Sequence, residues 1–411
     1  MAAVKRLLAL AWCLPPLILP RSIQVSRTLK ALRALGWESD AVTAHASLAP
    51  WQVRDQGLAA HYRGCYREWP VGRLSRANQF LNLVGRGRTS DDVWPEAAAA
   101  AGLSRLDRQA YDALVTFAQP WSSHAAGLVI KQRHGDLPWL AHFSDPWVDS
   151  PYYARLDPQT RARWTELERA VIENADAVVF TTPRIAELVM AKYPPAYGTK
   201  AHVVPHGYDP GLLPAGTDPG PPGRRPRFVY SGSFYGIRSP RPLFEALLAL
   251  QKRLPSESLP DIVCQGSSKL RYTVEAWKLG LGRRVRFLPE IGYLDCLAAL
   301  GQADALLLID APARENVFLP SKIVDYFMVD RSIIGVTPLV GASAEVLGSL
   351  GCPCVDPDDA AGLADLLETA VKYWGETGYI DRFRPDPQGV LKYHIDRTTE
   401  RFAAALATAC S

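Results

Sequence analysis

The chain lacks paired cysteines, long apolar runs and any concentration of charge of one sign. Its seven cysteines, at 13, 65, 264, 296, 352, 354 and 410, are odd in number and have no framework spacing. That excludes a disulfide-stapled fold and points to free thiols in a reducing compartment. Cys352 and Cys354 are the one close pair, and no second Cys or His pair accompanies them, so no metal site is expected. No segment reaches the roughly 20 apolar residues needed to span a bilayer. Lys5-Arg6 followed by LLALAWCLPPLIL opens like a signal peptide, but Pro15, Pro16 and Pro20 crowd the run and no small-x-small cleavage site follows. Residues 6–12 are read instead as a first buried strand. The net charge of +4, with arginines scattered rather than massed, suits attraction to phosphate or anionic lipid and does not support nucleic acid as a partner. There is no G-x-G-x-x-G fingerprint.

What remains is a chain of 411 residues, 48% hydrophobic and 21% charged, ordinary for a globular protein of two to three domains. Its patterning alternates strand and helix. A strand at 6–12, an amphipathic helix at 23–35 stopped by Gly36, and a strand at 37–43 form a βαβ unit, which implies a parallel sheet. Residues 44–110 interleave Trp51, Tyr62, Tyr66, Trp69 and Trp94 with Arg54, Arg63, Arg67, Arg73, Arg76, Arg86 and Arg88. They read as a helical insertion with a solvated face, or as a surface for an acceptor or a membrane. The alternation resumes with strands at 128–131 and 139–143, a helix at 161–174, a strand at 177–181, a helix at 183–193 and a strand at 202–205. Residues 209–226, rich in Pro and Gly, read as a linker. A second series follows, with strands at 227–231, 261–265, 285–288, 305–309 and 332–336 and helices at 240–254, 269–279, 293–300, 360–373 and 396–406. The expected domains are 1–210, a linker 211–226, 227–385, and a C-terminal helix within 386–411 that returns to the first domain. The predicted fold is α/β, with two doubly wound Rossmann-like domains facing each other across a cleft, where ligands bind at the carboxyl ends of the strands.

Two loops of the second series carry the chemistry. Ser231-Gly232-Ser233, followed at 238 by Arg, opens that series. Gly232 lets the backbone approach a ligand, and Arg238 offers a fork for phosphate; the alternative is a tight turn with a solvated Arg. The stretch ENVFLPSKIVDYFMVDRSIIGVTP, residues 315–338, places Ser321 to cap a helix that opens on Lys322, with Asp325 one turn along. Ile323, Val324, Phe327 and Met328 share one face. A helix N-terminus beside a Lys is an anion site, and a nearby carboxylate suits a diol; the alternative is a surface helix with a charge pair. In the first series HFSDPW (142–147) and VPHGYD (204–209) follow strands, where His and Asp either act on a ligand or satisfy backbone groups.

These motifs, in this order, resemble the GT-B glycosyltransferases of the family 4 type over nearly the full chain. VVPHGYD is similar to I-P-N-G-V-D at the domain junction, SGSF to the G-S loop, and PSKIVDYFMVDRSIIG to a variant of the E-x7-E element. LDCLAALGQADALLLID is similar to the segment before the donor loop, and HFSDPW to the D-x-R-D-P-W of a subset. The resemblance implies transfer of a sugar from a nucleotide-diphosphate donor to an acceptor hydroxyl on a glycan or glycolipid, as in polysaccharide biosynthesis. It also implies retention of configuration, no cofactor and no metal, and a cytoplasmic enzyme with peripheral contact to the inner membrane surface. It assigns Arg21, Gly232, Ser233, Arg238, Glu315, Ser321, Lys322 and Asp325 to the donor, and His142, Asp145, Arg238 and Lys322 to catalysis, with Ser144 beside the acceptor and His206 at the family's Asn position. The first acid of E-x7-E falls on Val317, so Glu315 is its candidate replacement. A nucleotide-sugar epimerase of the same fold and a non-enzymatic two-lobed binding protein are the competing readings.

Overall fold

The computed structural model describes residues 4–50, 52–75, 80, 88–213, 223, 225–266 and 270–411. Trp51, Arg76, Arg86, Lys269 and most of the linker expected at 211–226 lie outside them. The chain divides into two compact units: unit 1 is Met1–Gly207 with Ile395–Ser411, and unit 2 is Tyr208–His394.

Unit 1 is built on a parallel sheet ordered β3-β2-β1-β4-β5-β6-β7. Its strands are β1 (Lys5–Ala11), β2 (Trp37–Ala44), β3 (Arg67–Val71), β4 (Ala113–Phe117), β5 (Trp139–Phe143), β6 (Ala177–Phe180) and β7 (Ala201–Val203). Strands covered on both faces read as unbroken apolar runs. Accordingly Leu7, Leu8, Ala9 and Leu10 of β1 are all fully buried. The helix Pro20–Ala34 starts three residues earlier than its apolar pattern suggests, because Pro20 sits in its first turn. The helix Ile395–Ala409 also belongs to unit 1: Phe402, Ala405, Leu406 and Ala409 join the core formed by β1, β4, β5 and β6.

Two expectations for unit 1 are corrected. Residues 128–131 are not a strand but the end of the helix Ser122–Arg133. The strand is β4, at 113–117. The helix can lie close on the sheet because residue 127 is Gly; a Cβ there would sit 2.5 Å from Thr116 Cγ2 and 3.0 Å from the Trp139 ring. Residues 44–110 are not a helical insertion throughout: β3 pairs in parallel with β2 from Asp40↔Arg67 to Ala44↔Val71.

Unit 2 carries the sheet order β10-β9-β8-β11-β12-β13. These strands are β8 (Arg227–Ser231), β9 (Asp261–Gln265), β10 (Val285–Leu288), β11 (Ala305–Ile309), β12 (Ser332–Val336) and β13 (Cys354–Val355). In each sheet the strand order reverses once, between β1 and β4 and between β8 and β11. Such switch points are where open α/β sheets bind ligands, beyond the carboxyl ends of the strands. Among the described residues no helix is long and apolar enough to cross a membrane.

Phe402 is 2% exposed and stacks on Phe117 with centroids 6.1 Å apart. Phe402→Ala is expected to destabilise unit 1 by about 3 kcal/mol or more. Urea denaturation followed by a probe within unit 1 measures this.

Candidate active site

The switch point of unit 2 gathers residues far apart in sequence. β8 ends in Ser231, and the next residue, Gly232, has φ +121°, a region that favours glycine. Its N–H donates to Gln265 O at 2.8 Å, and Ser233 Oγ donates to Gly266 O at 2.8 Å. The loop is thereby pinned to the end of β9. A Cβ on Gly232 would lie 2.7 Å from Lys322 Nζ, so the glycine also makes room for an ammonium. That ammonium stands 4.1 Å above the centroid of the Tyr230 ring. It makes no hydrogen bond to any described residue.

Arg238 is not the solvated side chain of a tight turn; it is 8% exposed. Its Nη2 lies 3.5 Å from Asp310 Oδ1, a carboxylate that follows β11 and is almost fully buried. The other oxygen of Asp310 accepts from Asn316 Nδ2 and Thr337 Oγ1, both at 2.9 Å. Asn316 is itself fixed through its backbone: its N–H donates to Val340 O at 3.0 Å, and its carbonyl accepts from Ala342 N at 2.8 Å. This close approach requires Gly341, where φ is +145° and a Cβ would sit 2.2 Å from Asn316 O.

The helix Lys322–Val329 opens differently from the expectation. Ser321 sits at its N-cap position in a helical conformation and makes no side-chain capping bond. The first turn is closed instead from upstream carbonyls, by Ile323 N to Pro320 O at 3.0 Å and Val324 N to Ser321 O at 3.3 Å. The Ser321 hydroxyl therefore does not cap the helix, although the helix start and Lys322 fall where the pattern placed them. Ile323, Val324, Phe327 and Met328 are buried as the pattern requires. Asp325 accepts from Tyr293 Oη at 2.6 Å, which orients the carboxylate. Glu315 is exposed on the loop, while its neighbour Asn316 turns inward. Asp310, Asn316, Thr337 and Tyr293 were not singled out from the sequence. The one usable signal was the position of Asp310, directly after the apolar strand ALLLI.

Two cations close together in a largely buried site oppose one another. Burial first, and then the Arg238 guanidinium, bring Lys322 down from its ordinary 10.5 to about 7, with Asp310 acting in the other direction. The site thus holds one permanent cation and one whose charge is set near neutral pH.

Unit 1 gathers a second group at its own switch point. Arg21, in the first turn of the helix Pro20–Ala34, donates to Gln24 Oε1 at 3.0 Å and contacts His142 Nδ1 at 3.1 Å. A guanidinium has only protons to give, so Nδ1 is the acceptor and the neutral imidazole carries its proton on Nε2. Burial and the nearby Arg21 hold His142 well below its ordinary value, and they bring His206 down to about 3, with Arg27 adding to the effect there. Arg21 itself falls to about 10 through burial, opposed by Cys13 and Asp145. Asp145 accepts from Gln119 Nε2 at 3.1 Å and Ser144 Oγ at 3.2 Å. Burial raises its carboxyl while Arg21 lowers it. Arg21, Gln24, His142 and His206 line one pocket, closed on another side by Thr399 and Phe402. The sequence-predicted residues therefore fall into two groups: Arg21, His142 and Asp145 in unit 1, and Gly232, Ser233, Arg238, Lys322 and Asp325 in unit 2. Among the described residues no three His, Cys, Asp or Glu side chains converge to hold a metal ion.

Comparison with known proteins bears on the family and the fold. Residues 22–207 match the family model of the glycosyl transferase 4-like domain. No curated protein sequence gives a significant match. Among solved structures, HepE of Anabaena in complex with UDP-glucose is similar at 14% identity and TM-score 0.65, with 98% of this chain and 99% of that chain covered. Sucrose-phosphate synthase of Thermosynechococcus elongatus is similar at 18% identity and TM-score 0.61, covering 98% and 96%. The apo form of the lipopolysaccharide outer core galactosyltransferase WaaB is similar at 12% identity and TM-score 0.63, covering 98% and 99%. At these identities the likeness concerns the fold, which is GT-B.

The Lys322 amine has a consequence for stability. In the unfolded chain it titrates near 10.5, and in the folded chain near 7. Between those values the unfolded chain binds the extra proton, so this group makes stability rise with pH across the window. Below pH 7 the charge is held in both states at full cost. Urea denaturation of the wild type at pH 6.5 and 9.5 is expected to show that rise, and Lys322→Met to remove this contribution.

Proposed function

We propose that the chain is a glycosyltransferase whose donor is a nucleotide-diphosphate sugar held in unit 2, a reading supported by the glycosyl transferase 4-like match over residues 22–207 and by the GT-B fold. The observation that carries the reading is the pairing of Arg238 with Lys322, whose ammonium lies where a Gly232 Cβ would be 2.7 Å away. A diphosphate needs cations and N–H donors on a backbone it can approach closely. Gly232 supplies the approach, Arg238 the permanent charge, and Lys322 a charge that a bound dianion restores. Asp325, oriented by Tyr293, is assigned to the ribose diol, and the exposed Glu315 to the sugar. Ser233 and the backbone at Ser321 complete the phosphate surroundings.

In the proposed reaction the bond from the anomeric carbon to the diphosphate oxygen breaks as the acceptor oxygen forms its new bond to that carbon. The acceptor proton passes to the departing diphosphate on the same face, and configuration is retained. The charge that develops on the leaving group is met by Arg238 and Lys322, already in position. No metal is assigned to this role. The Arg21–His142–Asp145 group of unit 1 is assigned to the acceptor side. There the Nε2–H of His142 is a hydrogen-bond donor, since Arg21 occupies Nδ1 and burial keeps the ring neutral. The acceptor class we propose is a glycan or a lipid-linked glycan, with the enzyme cytoplasmic and peripheral to the membrane.

The structural neighbour HepE was solved with UDP-glucose, so uridine diphosphate is the first nucleotide to test. A nucleoside diphosphate at about 100 times its dissociation constant should stabilise the protein by ~2.7 kcal/mol in a thermal-shift screen. Arg238→Ala and Lys322→Ala should each lower turnover by orders of magnitude, on the scale of a lost transition-state charge partner; near-normal rates in both would remove the assignment. Because free Lys322 loses its proton above about pH 7, nucleotide binding at pH 8 should take up a proton. Calorimetry in two buffers of different ionisation enthalpy measures that uptake, and Lys322→Met should abolish it. Product analysis with donor alone distinguishes transfer from epimerisation.

A further inference from the structure

The helix Leu270–Lys278 of unit 2 presents a face that no described residue covers. Tyr272 and Ala276 turn into the core at 3% and 0% exposed. On the other side Leu270 and Trp277 are each 75% exposed and Val274 is 40% exposed. Positions i, i+4 and i+7 form a single stripe along a helix. The Trp277 ring rests beside Gly282, where a Cβ would approach it to 3.1 Å.

The surroundings of the stripe are basic. Residues 270–286 contain five Lys or Arg and one carboxylate, Glu275. That carboxylate is taken by Arg241 Nε at 2.8 Å. Arg284 is held by Asp261 and by the Ser256 carbonyl. Lys278, Arg283 and Arg286 are exposed and form no hydrogen bond or ion pair with any described residue. Among the described residues, three cations without an ion pair thus follow the apolar stripe within nine residues of Trp277, and its one acid is already paired.

We propose that this helix docks the protein on a membrane surface rich in anionic lipid. A helix of nine residues is far too short to span a bilayer, so it lies in the interface. Leu270, Val274 and Trp277 then enter the headgroup and acyl boundary while Lys278, Arg283 and Arg286 face lipid phosphates. An apolar stripe beside cations that make no ion pair among the described residues fits a two-dimensional array of lipid phosphates. The proposal does not depend on the reading of the nucleotide site.

The test is co-sedimentation of the full chain with vesicles of 30% phosphatidylglycerol in phosphatidylcholine, and with phosphatidylcholine alone. Binding to the anionic vesicles and little to the neutral ones is expected. Leu270→Ser with Trp277→Ser should weaken partitioning at least tenfold. Neutralising Lys278, Arg283 and Arg286 to Gln should weaken it by about fivefold per cation, on the order of a hundredfold together, with thermal melts unchanged. If the serine pair fails to fold, the glutamine set decides. No sedimentation with anionic vesicles, equal binding to neutral ones, or variants that bind like the wild type would overturn the proposal. So would a wild-type dimer in solution that the serine pair dissolves, since the stripe would then be a surface for a second copy.

Discussion

The candidate donor site depends on one buried carboxylate. Asp310 is 2% exposed, and a charge that deep is tolerable only when its oxygens are matched. One oxygen faces Arg238, and the other receives Asn316 and Thr337. Those three partners come from the loop after β8, the loop after β11 and the end of β12. A single acid therefore fixes the relation between the guanidinium and the segment that leads into Lys322. Asn316 in turn is held by backbone bonds that only a glycine at 341 permits. The cations are positioned by a chain of contacts that begins with Asp310.

The two units use the same topological position for different electrostatics. In unit 2 the switch point concentrates positive charge and leaves the Lys322 ammonium without a hydrogen-bond acceptor among the described residues. In unit 1 the guanidinium of Arg21 is spent on Gln24 and His142, and the histidines around it are held neutral. A protonated imidazole beside Arg21 would face both desolvation and like charge, which explains why both causes act in the same direction there. Unit 1 therefore offers oriented donors of low charge, and unit 2 offers charge itself.

Much of this was legible in the sequence, for identifiable reasons. Strands buried on both faces announce themselves as apolar runs, so β5, β8, β9, β11 and β12 stand where the runs are. The helix at Lys322 was visible through its buried face at 323, 324, 327 and 328. The strand read at 128–131, inside a helix, has an equally physical cause. Leu128 and Ile130 are buried and Val129 is 41% exposed, an alternation that mimics a strand inside a helix. β3 escaped because REWPV is mostly exposed at a sheet edge, so it has neither an apolar run nor clean alternation. The Ser321 cap was inferred from residue type alone, and the αR backbone there turned the hydroxyl away from that task. Asp310 carries no spacing signal, because its partners lie six, 27 and 72 positions away.

The helix Ile395–Ala409 contributes Phe402, Ala405, Leu406 and Ala409 to the core of unit 1, although all of unit 2 separates it from the rest of that core. During synthesis the ribosome releases the strands of unit 1 long before the residues that finish their packing. Unit 2 has its whole sequence available first. The order of maturation is thus inverted relative to the order of translation: the first unit made is the last completed, and until its final helix arrives it presents to the cell the apolar surface around Phe117.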